Sequence, residues 1–435
     1  MAVPARAQTP LPWLLDRASA VALQPGEPAD WSHAREVRLP HDWDARWPGP
    51  SGQAAYQLRF DAPPNAGDQL LGLAIERACN TVWVALNGVT LYQGGQLVEP
   101  VSRQCQQRHL VAVPSALIKP GANVLQFTVR GFAPGEVGSN LRAGGLSAVV
   151  LGVHASLADA QERRQILSLQ LPEALSGTLV LLGGFMFVLG WFHRKQSYLA
   201  YFGVLMIGWA LLMSQLWVTD WPWPNRITEL LLVTLVGVVT MAGVQFLMRY
   251  AGRRLKWMDV GLPVQCGLVL LSLVVVGPQR LQTMAKVWYL LLTLQFLAAA
   301  VFYLMQVRPR QRAQLWLMAP LLAVMSLALL TEALARHLGL DARVALAAQV
   351  VPALVLIVLG LRLVQQYGRA LQSAEQGRAE LEVRIREATA QIERNFSQLA
   401  DLKVEQVTER ERGDALVVAG VHDGQQLGAQ VVVQV

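Results

Sequence analysis

Residues Leu230–Met248 read LLLVTLVGVVTMAGVQFLM, with no charged side chain among them. A run of this length and composition is what an α-helix needs to cross about 30 Å of hydrocarbon at about 1.5 Å per residue. Six further runs of roughly 17 to 22 residues accompany it between Leu171 and Val364: Leu175–Trp191, Tyr198–Val218, Met258–Gly277, Val287–Gln306, Leu315–Ala335 and Val344–Leu361. Only short polar breaks separate them, and those breaks carry nearly all the charge of this part of the chain. The pattern predicts a seven-helix transmembrane bundle over 173–366.

Lysine and arginine in the breaks set the orientation, because cytoplasmic loops retain positive charge during insertion. The odd-numbered breaks hold Arg194, Lys195, Arg249, Arg253, Arg254, Lys256, Arg308, Arg310 and Arg312, against Arg226, Arg280, Lys286, Arg336 and Arg343 in the even-numbered ones. The odd breaks are therefore expected to be cytoplasmic, which puts the preceding segment outside and the following one inside. Tryptophans 191, 217, 221, 223, 257, 288 and 316 lie near the predicted span ends, where an aromatic belt belongs.

Apolar residues make up 53% of the chain and charged ones 15%, with a formal net charge of +7. That charge sits in loops and tail rather than in one patch, and no zinc-finger or helix-turn-helix spacing occurs, which argues against a nucleic-acid partner. Inside the predicted spans the groups that matter are Glu229, Glu332, Gln215, Gln245, Gln265, Gln295 and Gln349. A transporter would need acids running through mid-membrane, and the two glutamates instead stand near one end of the bundle. There they are expected to be interfacial or to line a small outer pocket.

Residues 1–30 form an N-terminal segment in which Ala5-Arg6-Ala7 resembles the small-x-small end of an export signal; an ordinary terminus is the other reading. From about 31 to 153 the chain reads as an all-β domain. Alternation at Leu58/Phe60, Val82/Val84/Leu86 and Leu125/Phe127/Val129 is punctuated by Pro63-Pro64, Asn87-Gly88, Gly94-Gly95 and Pro120-Gly121. Residues 154–172 are read as a linker.

Leu39-Pro40-His41-Asp42-Trp43, Tyr56-Gln57-Leu58-Arg59-Phe60, Val84-Ala85-Leu86-Asn87-Gly88 and Gly121-Ala122-Asn123-Val124-Leu125 resemble the galactose-binding-like jelly roll of family 2 glycoside hydrolases. A similar jelly roll forms the periplasmic sensing domain of bacterial seven-transmembrane DISM receptors, the family this domain order resembles as a whole. The resemblance implies an all-β jelly-roll sandwich that senses a small molecule or carbohydrate, in a bacterial inner-membrane protein. Hydrolysis is not implied, since the catalytic carboxylates of the hydrolases lie on a barrel domain not matched here. Asp42, Asp61 and Glu76 are expected to be strand-end and turn residues, and His41 a hydrogen-bonded imidazole beside Trp43. Cys79 and Cys105 lie in the exported domain and are expected to form a disulfide worth about 3 kcal/mol. Cys266, in the fourth run, reads as a small apolar residue.

Past the seventh run the period changes. Over 367–412, Ile385, Ile392 and Leu399 occupy one seam position and Leu381, Ala388, Asn395 and Leu402 the other, with Glu and Arg on the flanks, so the segment is expected to be a parallel, dimerising coiled coil. The stretch through Glu409-Arg410-Glu411-Arg412 to His422-Asp423-Gly424 resembles the phosphoacceptor start of sensor histidine kinases. The resemblance implies that His422 accepts a phosphoryl group, that Asp423 orients or deprotonates it, and that a response regulator or partner kinase is served. It also departs from the pattern. Gly413 to Val421 is longer than expected and holds two glycines, Gln425-Gln426 interrupt the motif, and no ATP-binding domain follows, so a degenerate start (413–435) is the other reading. The chain alone is expected to hold no cofactor and no metal, and to be inactive unless a separate domain supplies ATP and Mg. A non-catalytic sensor or scaffold acting on a partner kinase is the alternative.

Overall fold

The computed structural model describes residues 11–24, 27–44, 47–48, 52–63, 69–139, 142–165, 169–193, 196–307, 312–338 and 342–431. Side chains at 134, 163–165, 307, 312–317, 335–338, 342–346 and 413–431 lie outside the description. The chain divides into two compact units, Met1–Leu361 and Arg362–Val435.

A β-sandwich opens the first unit. Its larger sheet has six strands in the order β3 (Arg35–Arg38), β2 (Arg17–Ala22), β5 (Gln53–Asp61), β11 (Ala122–Arg130), β8 (Thr81–Leu86) and β9 (Val89–Gly94). The second has the order β1 (Trp13–Leu15), β13 (Val149–Val153), β6 (Leu71–Ile75) and β10 (His109–Val113), and a small third sheet joins β4 (His41–Asp42), β12 (Gly145–Leu146) and β7 (Ala78–Cys79). The alternating residues read from the sequence are the ones that meet in the middle. Leu58, Phe60, Val82, Val84, Leu86, Leu125, Phe127 and Val129 from the large sheet pack against Leu73, Ile75, Val111, Val113, Val149 and Leu151 from the other in one continuous buried cluster. Asn87-Gly88 closes the β8–β9 hairpin with φ of 49° and 87°, the left-handed pair that a two-residue turn requires. Asn87 is held there because its Oδ1 accepts from the Val124 amide at 3.0 Å while its Nδ2 donates to Leu117 O at 2.9 Å.

The sandwich begins at Trp13, earlier than the expected residue 31. Strand β2 pairs with both β3 and β5 and buries Ala18 and Ala20, but its side chains are too small to give a visible hydrophobic alternation. The expected linker likewise starts with a helix, α1 (His154–Gln165).

Every apolar run coincides with a helix: α2 (Leu171–Phe192), α3 (Tyr198–Ser214), α4 (Asn225–Tyr250), α5 (Lys256–Val276), α6 (Leu281–Val307), α7 (Arg312–Leu338) and the start of α8 (Ala342–Val431). Among the described residues five are long and apolar enough to cross a membrane, α2, α4, α5, α6 and the first part of α8, while Tyr198–Ser214 and Met318–Leu334 are shorter apolar stretches. The run ending at Val218 loses its last residues to a turn, because helix α3 closes at Ser214. Helices α2 and α3 approach closely through glycine: a Cβ on Gly183 would stand 2.9 Å from Met206 Cβ, and one on Gly203 2.6 Å from the Phe187 nitrogen. At the end of the bundle where α4 finishes, Arg249 ties several helices together by donating to Asp259 Oδ1 at 2.7 Å and Ser197 Oγ at 2.8 Å, with its guanidinium 4.5 Å above the Tyr201 ring.

In the second unit α8 is helical to Val431. Leu381, Ile385, Ile392, Leu399 and Leu402 are each more than half exposed in the single chain, and the side chains of His422 and Asp423 lie outside the described residues.

Candidate functional site

Glu229 stands one turn into α4, on the end that meets the sandwich, and is fully buried. A carboxylate there would be untenable without partners, and the sandwich supplies them. Arg103 Nη1 donates to its Oε1 at 2.9 Å. Arg142 donates through Nε to Oε1 at 2.9 Å and through Nη2 to Oε2 at 2.7 Å, a bidentate fork, and the Gly138 amide donates to Oε2 at 2.7 Å. Neighbouring groups extend the network: Arg142 Nη1 donates to Gln215 Oε1 at 2.7 Å and Arg103 Nη2 to Asn225 Oδ1. The Arg103 amide also donates to Thr219 O at 2.8 Å, and Ser102 Oγ to Asp220 Oδ1 at 2.7 Å.

Burial draws the Arg103 guanidinium down from its ordinary value. For Arg142 the same burial is outweighed by the Glu229 charge and its hydrogen bonds, which raise it. Both remain cations, so two positive charges share one carboxylate. Gly138 has to be small: a Cβ there would lie 2.8 Å from Val233 Cγ2 and 3.1 Å from Arg142 Nη2.

Two loops of the sandwich carry these arginines. The first is fastened at its root by the Cys79–Cys105 disulfide, two residues past Arg103. The second follows β11 and is anchored where Trp43 covers Gly144, whose added Cβ would overlap the indole ring. The sandwich thus rests on the α3–α4 connection and the start of α4.

Below the cluster lies a cavity enclosed by α3, α4, α6, α7 and the start of α8, with Arg142 and Gln215 at its upper end. Water centres can occupy about 70 Å³ of it. Glu332 and Gln349 line it from α7 and α8, with Gln349 Nε2 donating to Glu332 Oε1 at 3.5 Å. Glu229 is therefore an inter-domain tie, where an interfacial residue was expected, while Glu332 does line a pocket. Arg103 and Arg142 were not singled out in the sequence, where they read as ordinary loop arginines; the signal was indirect, an acid at a span end that needs a cationic partner.

In the small third sheet His41 is half-buried, its Nδ1 3.0 Å from the Tyr56 hydroxyl, which also accepts from Trp43 Nε1 at 2.8 Å. Burial and the nearby Arg35 cation lower the pKa of this imidazole. Asp42 accepts from Arg77 Nη1 at 2.6 Å and serves as a surface ion-pair partner. Among the described residues no group of three or more His, Cys, Asp or Glu is placed to hold a metal ion.

No family model matches the sequence, and no curated protein does either. Solved structures similar to it include a GH2 β-galacturonidase from Eisenbergiella tayi bound to galacturonate, at 17% identity over 33% of this chain and 24% of that one, with a TM-score of 0.25. A β-glucuronidase from Faecalibacterium prausnitzii matches at 16% identity over 35% of this chain and 33% of that one, TM-score 0.25. Bifidobacterium dentium β-glucuronidase, complexed with coumarin-3-O-glucuronide, matches at 16% over 35% and 31%, TM-score 0.26. The chain spans about a quarter to a third of the length of these structures.

Proposed function

We propose that the chain is a bacterial inner-membrane receptor of the sensor histidine kinase type. In this reading the sandwich is a periplasmic jelly roll that meets a small molecule or carbohydrate, seven helices cross the membrane, and α8 pairs with its counterpart in a second copy as a parallel coiled coil. The observation that carries it is the Glu229 cluster. A sandwich held to a helical bundle by a buried carboxylate shared between Arg103 and Arg142 has a discrete joint, and a ligand that favours one arrangement of the loops bearing those arginines would bias the joint and the helices under it. The second connection, on the side poorer in Lys and Arg, meets the sandwich through Thr219, Asn225 and Glu229, the side that the charge bias assigns to the periplasm.

His422 is the phosphoacceptor and Asp423 its orienting group, with ATP and Mg bound on a kinase domain and a response regulator downstream. The alternative output, a scaffold acting on a separate kinase, draws on the exposed seam of Leu381, Ile385, Ile392, Leu399 and Leu402.

Phosphatase fusions test the orientation: activity after Val153 and none after Arg312 is expected, and the reverse pattern would overturn it. Supplying the ATP-binding domain of a related kinase should label the chain, and His422→Gln should abolish the label. Labelling that persists in that variant would remove His422 from the reading.

A further inference from the structure

The cavity under the sandwich has a chemistry of its own. Its upper end is polar and its walls are apolar and aromatic, with Trp209 and Phe296 among them. A second space, lined by Phe246, Met318, Leu322 and Leu356 with no polar surface, adjoins it and shares Leu205, Phe296 and Met325 with it. Together they form a space with one polar end and a greasy interior.

Among the described residues that line the cavity the charged groups are Arg142 and Glu332, one of each sign, so their formal charges cancel. Arg142 already spends its fork on Glu229 and its remaining amino group on Gln215. Gln349 is different. Its residue is only 9% exposed, its main-chain carbonyl accepts from Trp209 Nε1 at 3.1 Å, and its Nε2 faces the Glu332 carboxylate. Since a carboxylate only accepts, the Nε2 of this amide must be the side facing it, which leaves Oε1 as the group with no hydrogen-bond partner. A buried amide oxygen without a donor is costly and calls for one. Space for water centres of about 70 Å³ is about five times what one water needs, so the cavity has room for more than a single bridging water.

We infer that this cavity binds a small uncharged amphiphile, an aliphatic or phenolic alcohol, whose hydroxyl donates to Gln349 Oε1 and whose apolar body lies along Trp209 and Phe296 toward Met325. Neutrality follows from the cancelled charges, since an ionic head would add an uncompensated charge to a buried site. The assignment is independent of the receptor reading, because occupancy is measured whether or not the chain signals.

The test uses the full chain in lipid nanodiscs, photolabelled with a diazirine-bearing octanol and mapped by mass spectrometry. Saturable label on the Trp209–Met213 and Tyr289–Phe296 segments, displaced by excess 1-octanol, is expected. Gln349→Leu should raise the octanol needed for displacement about fivefold, as loss of one hydrogen bond predicts, and Leu329→Trp, which fills the cavity, should remove the label. Unchanged labelling at the exposed Leu181 and Val275 identifies variants that fold. Label confined to those exposed positions, or an unshifted competition curve in Gln349→Leu, would overturn the site. Displacement by octylammonium or octanoate at lower concentration than octanol would overturn the neutral-head assignment.

Discussion

Replacing Glu229 by Gln keeps the shape of the side chain and removes its charge, so two guanidiniums stay buried between sandwich and bundle without the carboxylate they share. Two opposite charges about 4 Å apart attract by about 4 kcal/mol at an effective dielectric constant of about 20, and Glu229 has two such partners, bound at 2.7 to 2.9 Å. Most of that gross attraction offsets desolvation. Deleting one member of a buried pair nevertheless costs about 3–5 kcal/mol, because the stranded charge has nowhere to go. If the loss falls on the seating of the sandwich, the equilibrium for lifting those loops shifts by about two to three and a half powers of ten. Hydrogen exchange reads this directly. The Gly138 amide is bonded to Glu229 Oε2 and the Arg103 amide to Thr219 O, so both should exchange faster by that factor in Glu229→Gln while amides in β5 and β11 stay protected. Adding Arg103→Met removes one stranded cation and should recover part of the loss, a coupling well above about 0.5 kcal/mol. Exchange at Gly138 and Arg103 within about threefold of wild type, equivalent to under about 0.7 kcal/mol, would refute the reasoning.

Reduction of the Cys79–Cys105 bridge, which closes a loop with a sequence separation of 26, should lower sandwich stability by about 3.5 kcal/mol; equal thermal midpoints with and without reductant would contradict this. His109 is buried beside Tyr92, and burial pushes its imidazole down to about 4 from 6.5. The unfolded chain therefore takes the proton first, so this contribution is complete above about pH 6.5 and disappears as pH falls through about 4, up to about 3 kcal/mol in all. His109→Leu should flatten that acid limb in denaturant titrations, and an unchanged limb would exclude His109 as its source. In chains with Cys266 replaced, Leu399→Cys should cross-link between copies on mild oxidation, and Ile385→Asp together with Ile392→Asp should prevent it; equal yield from Glu393→Cys, off the seam, would argue against a specific pair.

Long apolar runs are locally encoded, so α2 to α7 and the start of α8 were legible where they lie, and the period-two alternation at Val82/Val84/Leu86 and Leu125/Phe127/Val129 marked the sandwich interior for the same reason. What escaped was encoded at a distance. Arg103 and Arg142 meet Glu229 across 126 and 87 residues, a pairing that no periodicity can express. Strand β2, Arg-Ala-Ser-Ala-Val-Ala, hid because two of its three buried positions are alanines, and it became visible only once β5 was there to pair with. The cavity, too, is a property of five helices at once, although Glu332, Gln215 and Gln349 had stood out as polar groups in an apolar setting.

The glycines between α2 and α3 have a mechanical consequence. Where Gly183 and Gly203 bring the two backbones together, hardly any side chain is interposed whose rotamers could reshuffle. Such a contact has no second arrangement of similar energy, so the pair moves as one stiff part. Bistability has to come from seams packed with long, swivelling side chains, such as the one where Phe246, Phe296 and Met325 meet. Any rearrangement of the bundle should therefore run between the α2–α3 pair and the helices around that seam, and distance measurements should find α2 and α3 locked together throughout.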